Sequence, residues 1–264
     1  MFPDIPEYQI FKLTPNTVAK RTWEMDEDAV DSIEANALKI VFEKTTIPVP
    51  RLRRVVHNNG RFLLVMDFVK GKTLAEVWSS LSLWRKLHVA FTLRGYIRQL
   101  RRRLRAFPTD PPGPISYAKP QECISPLFTQ IQPYRGPFAS YADLSTFFND
   151  RCQMACRDAE KCGGRAPVGS FDNSEPLVFT HQDLNPRNII LGDDGRLWIV
   201  DWAWAGFYPP WFEHSSMLIQ EENEVLVMRG SKHALWRALI PFICGPYFQQ
   251  HEWWGRMASS FIYK

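Results

Sequence analysis

A polar run placed directly before two short apolar segments constrains this chain more than any other feature. The run is His181-Gln182-Asp183-Leu184-Asn185-Pro186-Arg187-Asn188. Apolar residues follow at positions 189–191 and 197–200, and the residues between them, Asp193-Asp194-Gly195, form a turn sequence. The two apolar segments are therefore predicted to form an antiparallel hairpin that brings Asn188 close to Asp201.

The side chains at this end of the hairpin suit a hard cation. Asp183 and Asp201 supply carboxylates and Asn188 supplies a carboxamide. Such oxygen ligands favour Mg²⁺ over zinc. The alternative is that these polar residues only cap a loop, without metal or proton chemistry.

The pattern His-x-Asp-x-x-x-x-Asn, followed by an Asp one hairpin later, resembles the aminoglycoside and choline kinase family of kinase-like phosphotransferases. The resemblance includes the pairs Asn185-Pro186 and Asp201-Trp202, and it extends from about residue 8 to 213 and more loosely to the end. It implies an α+β, two-lobed protein-kinase-like fold. The small β-rich lobe would span residues 1–69 and the larger, mainly helical lobe residues 70–264.

The same resemblance implies ATP-dependent transfer of the γ-phosphoryl group to a hydroxyl of a small molecule. Asp183 would orient and deprotonate that hydroxyl, and His181 would brace the loop rather than transfer protons. Asn188 and Asp201 would hold Mg²⁺. Catalysis in this class is mostly positioning and charge stabilisation.

Two residues of the first lobe fit this interpretation. Lys20 lies on a predicted strand, as the phosphate-binding lysine of kinases does. Glu34 falls on the apolar stripe of the next helix, where a carboxylate is costly unless it is paired, and Lys20 is its natural partner. The alternative places Glu34 in water at the rim of the stripe.

Local signals predict the remaining elements. Turn residues between alternating segments predict hairpins over 8–23 and 52–68, and acidic residues 26–28 predict the start of a helix that ends near residue 44. Helices are predicted over 73–80, 83–107, 141–161 and from 210 onward, with a further strand over 177–181 and a long surface loop over 108–137. By resemblance, Met66, Asp67 and Phe68 belong to a hinge that would bind the adenine through backbone groups.

Two departures from protein kinases keep other functions open. No glycine precedes Lys20 between residues 8 and 16, which favours a catalytically silent kinase-like binding protein. Gln182 replaces the arginine that precedes the catalytic Asp in protein kinases. The short segment between Asp201 and Glu213 leaves no room for a peptide-docking activation loop, so a protein kinase is disfavoured.

Composition excludes several partner classes. The formal net charge of +4 is too small to indicate a nucleic-acid partner. The apolar runs are too short to span a membrane, the first residues do not read as a secretory signal, and five cysteines suit reduced thiols. We therefore expect a cytoplasmic monomer that acts on a small-molecule acceptor.

The acceptor is the least constrained part of the prediction. Carboxylates after the metal-binding Asp, together with aromatic residues of the 108–137 loop, suit an amine-bearing acceptor. The alternative is that the acidic cluster is a solvated helix face. The carboxylates are Glu213, Glu221, Glu222 and Glu224, and the aromatic residues are Tyr117, Phe128 and Tyr134.

Overall fold

The computed structural model describes residues 10–23, 31–58, 61–106, 110–128, 135–163, 165–227 and 234–258. Within these ranges, a small β-rich part is followed by a larger, mainly helical part, as the sequence predicts. No helix among these residues combines the length and the apolar character needed to cross a bilayer.

The first part is an antiparallel sheet of four strands in the order β1-β2-β4-β3. Both predicted hairpins are present, and residues 8, 9, 59 and 60 of the predicted segments lie outside the described residues. The four strands are β1 (Ile10–Thr14), β2 (Thr17–Trp23), β3 (Leu52–Asn58) and β4 (Arg61–Asp67).

Helix α1 (Ile33–Lys44) packs its apolar stripe against this sheet. Ala37, Leu38 and Val41 are at most 1% exposed. The predicted helix start at residues 26–28 is wrong, because the described residues Asp31 and Ser32 are not helical. Residues 26–28 themselves lie outside the described ranges. The helix begins after Ser32, whose hydroxyl accepts the N–H of Ala35 at 3.4 Å and so satisfies an unpaired donor of the first turn.

After residue 70 the chain enters a second sheet. Strand β5 (Gly71–Thr73) pairs with a later strand, placing Gly71 opposite Gly192. The φ of Gly71 is +153°, and a Cβ there would lie 2.3 Å from the carbonyl oxygen of Leu191. Glycine is therefore required at this crossing. Helix α2 (Leu74–Val77) and a 3₁₀ turn follow, and then the long helix α3 (Leu83–Arg103).

Among the described residues, two three-stranded sheets, one of which includes β5, and four further helices complete the second part. The predicted 189–200 hairpin is present and joins β5, while two short strands, one near residue 113 and one near 207, were not predicted. The elements are β6 (Gly113–Pro114), α4 (Tyr141–Cys162), β7 (Val178–Thr180), β8 (Ile189–Gly192), β9 (Leu197–Ile199), β10 (Gly206–Tyr208), α5 (Pro210–Val227), α6 (Ala234–Cys244) and α7 (Phe248–Met257).

The predicted surface loop over 108–137 is partly structured. It contains β6, which pairs with β10, and a 3₁₀ turn at Pro126–Phe128. The ring of Phe128 is 1% exposed in an aromatic cluster with Phe148 and Phe212. Residues 107–109 and 129–134, including Tyr134, lie outside the described ranges. Burial of Phe128 removes it as a ring that could stack on an acceptor.

Candidate active site

Lys20 and Glu34 form a buried ion pair between β2 and α1. The Lys20 Nζ lies 2.9 Å from Oε1 and 2.8 Å from Oε2 of Glu34, whose residue is 2% exposed. Burial raises the pKa of Glu34 above its usual value, although Lys20 opposes this shift. The alternative position of Glu34 in water is therefore wrong, because the stripe of α1 carries it into the core.

The same ammonium reaches the loop after β9. Lys20 Nζ lies 2.6 Å from Oδ1 of Asp201, whose side chain is 42% exposed. Burial would lower the pKa of Lys20, but the charges of Glu34 and Asp201 outweigh it and raise that pKa. Lys20 is therefore positively charged, and it joins the two parts of the chain through the partly exposed carboxylate of Asp201.

Asp183 lies between β7 and β8 under three side-chain amides. Asn185 Nδ2 donates to its Oδ1 at 2.9 Å, Asn188 Nδ2 donates to its Oδ2 at 2.7 Å, and Gln220 Nε2 also donates to Oδ1. A carboxylate accepts about four such bonds, so one lone pair on Oδ2 is left for a further donor. Burial and the charge of Asp201 raise the pKa of Asp183 to about 6.

His181 connects the loop of Asp183 to that of Asp201. Its Nδ1 accepts the backbone N–H of Asp183 at 3.2 Å, and its Nε2–H donates to the carbonyl of Val200 at 3.1 Å. Burial lowers the pKa of His181 to about 4, so the ring is neutral. Both ring nitrogens are occupied by backbone groups, which is the arrangement expected of a brace.

One face of α5 holds three consecutive residues of the loop between β7 and β8, which are His181, Gln182 and Asp183. Glu213 Oε2 accepts the N–H of His181 at 2.6 Å, and Ser216 Oγ donates to Gln182 Oε1 at 3.0 Å. Gln220 then reaches Asp183. The spacing of three and four residues places Glu213, Ser216 and Gln220 on one helical face.

The sequence did not predict three residues that hold this loop in place, Gln182, Glu213 and Gln220. Gln182 is fully buried with a φ of 67°, and its amide also contacts Ser125 Oγ and Thr180 Oγ1. Burial raises the pKa of Glu213 to about 7. For Glu213 and Gln220, the available signal was the helical spacing of three and four residues that joins Glu213, Ser216 and Gln220.

The predicted acidic acceptor cluster is not a set of open carboxylates. Glu213 is 1% exposed and holds the loop. Glu221 and Glu222 lie 2.7 and 2.8 Å from Arg237, and Glu224 lies 2.9 Å from Arg187. Arginine charges therefore offset most of the negative charge on this part of α5.

The predicted hinge residues lie at the end of β4. Met66 is 6% exposed in the core, and Asp67 forms a bidentate pair with Arg53 at 2.6 and 3.1 Å. The N–H of Asp67 donates to a backbone carbonyl at 3.1 Å, and that of Phe68 does so at 2.9 Å. Because both donors are already paired, an adenine cannot use them in this arrangement.

The residues predicted to hold Mg²⁺ fit that ion in type. Asn188 uses its Nδ2 on Asp183, which leaves its Oδ1 oriented away from that bond, and Asp201 offers an exposed carboxylate. Mg²⁺ typically uses one or two protein oxygens and completes its shell with water and phosphate oxygens. In the described ranges, no group of three or more His, Cys, Asp or Glu side chains forms a metal cluster.

Comparisons with known proteins give one family and several distant structures. The family model described as phosphotransferase enzyme family matches residues 32–239. The aminoglycoside phosphotransferase APH(4)-Ia has 12% identity and a TM-score of 0.48, over 96% of this chain and 88% of that chain. APH(3'')-Id from Streptomyces rimosus, in complex with ADP and streptomycin, has 12% identity and a TM-score of 0.49, over 94% of this chain and 88% of that chain. A search of curated proteins found no match.

The family match covers the loop of residues 181–188, the β8–β9 hairpin and the face of α5 that contacts the loop. Lys20 lies before the matched range, and it is the structure that places its ammonium against Glu34 and Asp201. The predicted family resemblance and the kinase-like fold are confirmed. With more than three quarters of its residues inside the match, the chain belongs to the phosphotransferase enzyme family.

Proposed function

We propose that this phosphotransferase moves the γ-phosphoryl group of ATP to a hydroxyl of a small molecule. The observation that supports the proposal is the convergence of Lys20, from the first part of the chain, with Asp183, Asn188 and Asp201 of the second part. The lobes would divide near Val69, because the strand that follows, β5, already pairs with β8 of the second part.

Asp183 would act as the catalytic base. Its remaining lone pair on Oδ2 would accept the acceptor's hydroxyl proton while the acceptor oxygen bonds to the γ-phosphorus. The bond from that phosphorus to the β–γ bridging oxygen breaks, and ADP leaves. A base with a pKa near 6 is largely deprotonated at neutral pH and still basic enough to take a proton.

Lys20 and the metal ligands would manage the phosphate charge. Lys20, fixed by Glu34, would place its ammonium on the α- and β-phosphates. Asn188 and Asp201 would hold Mg²⁺, which supplies neutralising charge to the phosphate oxygens when it is bound. The adenine would lie at Met66, Asp67 and Phe68, against backbone groups other than the two occupied N–H groups.

A screen of hydroxylated metabolites for ADP release tests this function. The wild-type protein is expected to release ADP in an acceptor-dependent and Mg²⁺-dependent way, and ³¹P spectra should show a new phosphate monoester. The Asp183→Asn variant serves as the control for contaminating kinases. Equal ADP release by both proteins contradicts the assignment.

A catalytically silent binding protein is the second candidate. The β1–β2 connection is the tight turn Pro15-Asn16 without glycine, and the N–H groups of Asp67 and Phe68 are already paired. The first feature removes a glycine-rich loop over the phosphates, and the second removes two backbone donors for the adenine. Nucleotide thermal shifts with and without Mg²⁺ separate the two functions, since a silent protein gives no metal-dependent shift. A protein kinase is disfavoured, because β10 and α5 follow Asp201 at once.

A further inference from the structure

A cavity of about 930 Å³ opens beside the catalytic loop in the second part of the chain. Gln220, which lines it, donates to Asp183, and Ser125, which also lines it, donates to Gln182 at 2.7 Å. Trp204 lines it three residues after Asp201. The volume is in the range of small-molecule sites, and its occupant would lie next to the proposed base.

One part of the cavity wall is apolar and includes two flat rings. Trp204 and Trp254 contribute indole rings, and Ile124, Pro126 and Ile219 contribute aliphatic surface. Trp254 is 7% exposed, and its Nε1 donates to the carbonyl of Leu127 at 2.9 Å, which fixes the orientation of the ring. These walls suit a ligand with a flat apolar body.

The described lining carries little negative charge. Glu222 is its single carboxylate, and it lies 2.8 Å from Arg237. Arg135 adds a positive charge to the lining and lies 3.8 Å from Glu122, and burial lowers the pKa of His251. A polycationic ligand would therefore find no complementary field in these walls.

The acidic residues that neighbour the lining in sequence are paired with arginines. Glu221 pairs with Arg237, Glu224 with Arg187 and Glu252 with Arg256. Polar edges of the cavity are supplied by amides instead. Asn223 and Gln220 lie 3.4 Å apart across their side chains and both line the cavity, so neutral hydroxyls have partners there.

We propose that this cavity binds the acceptor, and that the acceptor is an uncharged, hydroxyl-bearing molecule with a flat apolar body rather than a polycation. The inference rests on the proposed function, because the cavity is an acceptor site only if Asp183 is the base. Contact between the apolar part of the molecule and the indole rings of Trp204 and Trp254 provides affinity. One hydroxyl of the molecule faces Asp183, transfers its proton to that carboxylate and receives the phosphoryl group from ATP on its oxygen.

Four matched probes test the ring and the charge separately. They are methyl and phenyl β-D-glucopyranoside and the two corresponding 2-amino-2-deoxy compounds. Dissociation constants are measured by calorimetry without nucleotide, and ADP release is measured with ATP and Mg²⁺. We expect phenyl to bind about tenfold more tightly than methyl, the contribution of a stacked and enclosed ring. Replacing the 2-hydroxyl by an ammonium should give no gain.

The outcomes separate the two proposals. Tighter binding of both amines, equal binding of phenyl and methyl, or no saturable binding of the phenyl glucoside overturns the inference. Binding in the expected order without ADP release from any probe supports the selectivity and counts against the proposed function. ADP release that favours the amines supports the proposed function and overturns the selectivity.

Variants of Trp204 connect the selectivity to this cavity. Trp204→Leu should weaken binding of the phenyl glucoside about fivefold or more and leave the methyl glucoside within about twofold, because only stacking is lost. Trp204→Phe should retain the phenyl preference. Trp198→Leu removes a ring outside the cavity lining, where Arg196 stacks on it at 4.7 Å, and is the matched control. An unchanged phenyl preference in folded Trp204→Leu overturns the assignment, and the four-probe comparison on the wild-type protein stands if that variant does not fold.

Discussion

Replacing Lys20 by methionine removes the ammonium that two carboxylates share. Methionine keeps an unbranched apolar stem in the same space. Glu34 would then remain 2% exposed with the backbone N–H of Trp202 as a hydrogen-bond donor but without Lys20 beside it. Asp201, whose charge already raises the pKa of Glu34, would stay close. The variant therefore leaves a buried carboxylate without its counter-ion.

The expected cost follows from this burial. Removing one partner of a buried ion pair costs about 3–5 kcal/mol of folding free energy. The pKa of Glu34 is raised in the folded protein even with Lys20 present, and it rises further without it. A carboxyl whose folded pKa exceeds its unfolded pKa stabilises the fold fully below the unfolded pKa and loses that contribution as the pH rises through the folded pKa.

The pH dependence therefore identifies the cause of the loss. Between the unfolded and folded pKa values of Glu34, the stability of the variant falls by about 1.4 kcal/mol per pH unit. Urea unfolding at pH 8 and pH 5.5 should show a larger destabilisation at pH 8. The double variant Lys20→Met/Glu34→Leu should recover most of the stability and still fail to bind nucleotide.

Lys39→Met, on the exposed face of the same helix, is the control and should change stability by less than about 0.5 kcal/mol. A loss below about 1 kcal/mol in Lys20→Met would refute the reasoning, as would a loss that is equal at both pH values. Failure of the double variant to recover stability would show that packing, not the unpaired charge, dominates.

Three further outcomes are expected. Asp183→Asn should reduce turnover by about 10²–10⁴-fold, the usual contribution of a general base, while calorimetry shows nucleotide binding retained; near-normal turnover would exclude it as the base. Asp201→Ala should abolish the Mg²⁺-dependent part of ATP binding in a metal titration, and unchanged metal dependence would place the ion elsewhere. Gln182→Leu should lower the free energy of unfolding by roughly 2–3 kcal/mol in urea titrations, because it leaves buried hydroxyls unpaired; a neutral effect would contradict the anchoring contacts.

Local patterns were sufficient for most of the fold. Both N-terminal hairpins, the hairpin from β8 to β9 and the long helices carry strong turn and periodicity signals. The start of α1 was misplaced because acidic residues at 26–28 and the cap Ser32 are competing signals, and only the cap bond decides between them. Strands β6 and β10 have two and three residues and exist through pairing with each other and with β7, which short segments do not encode.

The juxtaposition of Asp183, Asn188 and Asp201 was predictable from spacing, but the contacts from α5 that hold this loop were not. Lys20 and Glu34 could be paired from one apolar stripe because burying a lone carboxylate is costly. Glu213 was instead predicted to belong to an acidic wall for an amine-bearing acceptor, because it follows Asp201 in the sequence and precedes further carboxylates. Its burial depends on the donated N–H of His181, a contact between parts of the chain 32 residues apart.

The buried hydrogen bonds around this loop explain how two residues keep a left-handed backbone conformation at the site. Gln182 and Asp201 have φ values of 67° and 63°, a conformation that non-glycine residues hold only when their surroundings determine it. Buried hydrogen bonds fix Gln182, and His181 ties its own loop to the carbonyl that precedes Asp201. Asp183 and Asp201 are therefore held as one unit of the second part of the chain.

Lys20 belongs to the first part and meets that unit at Asp201, whose carboxylate is partly exposed. Phosphates entering the site would compete with Asp201 for the ammonium, whereas the bonds of His181 face away from solvent and have no such competitor. Catalysis in this class would rest mainly on positioning and charge stabilisation. In this chain the bonds of His181 would keep Asp183 and Asp201 together, and the ion pair between Lys20 and Asp201 is the contact that entering phosphates would replace.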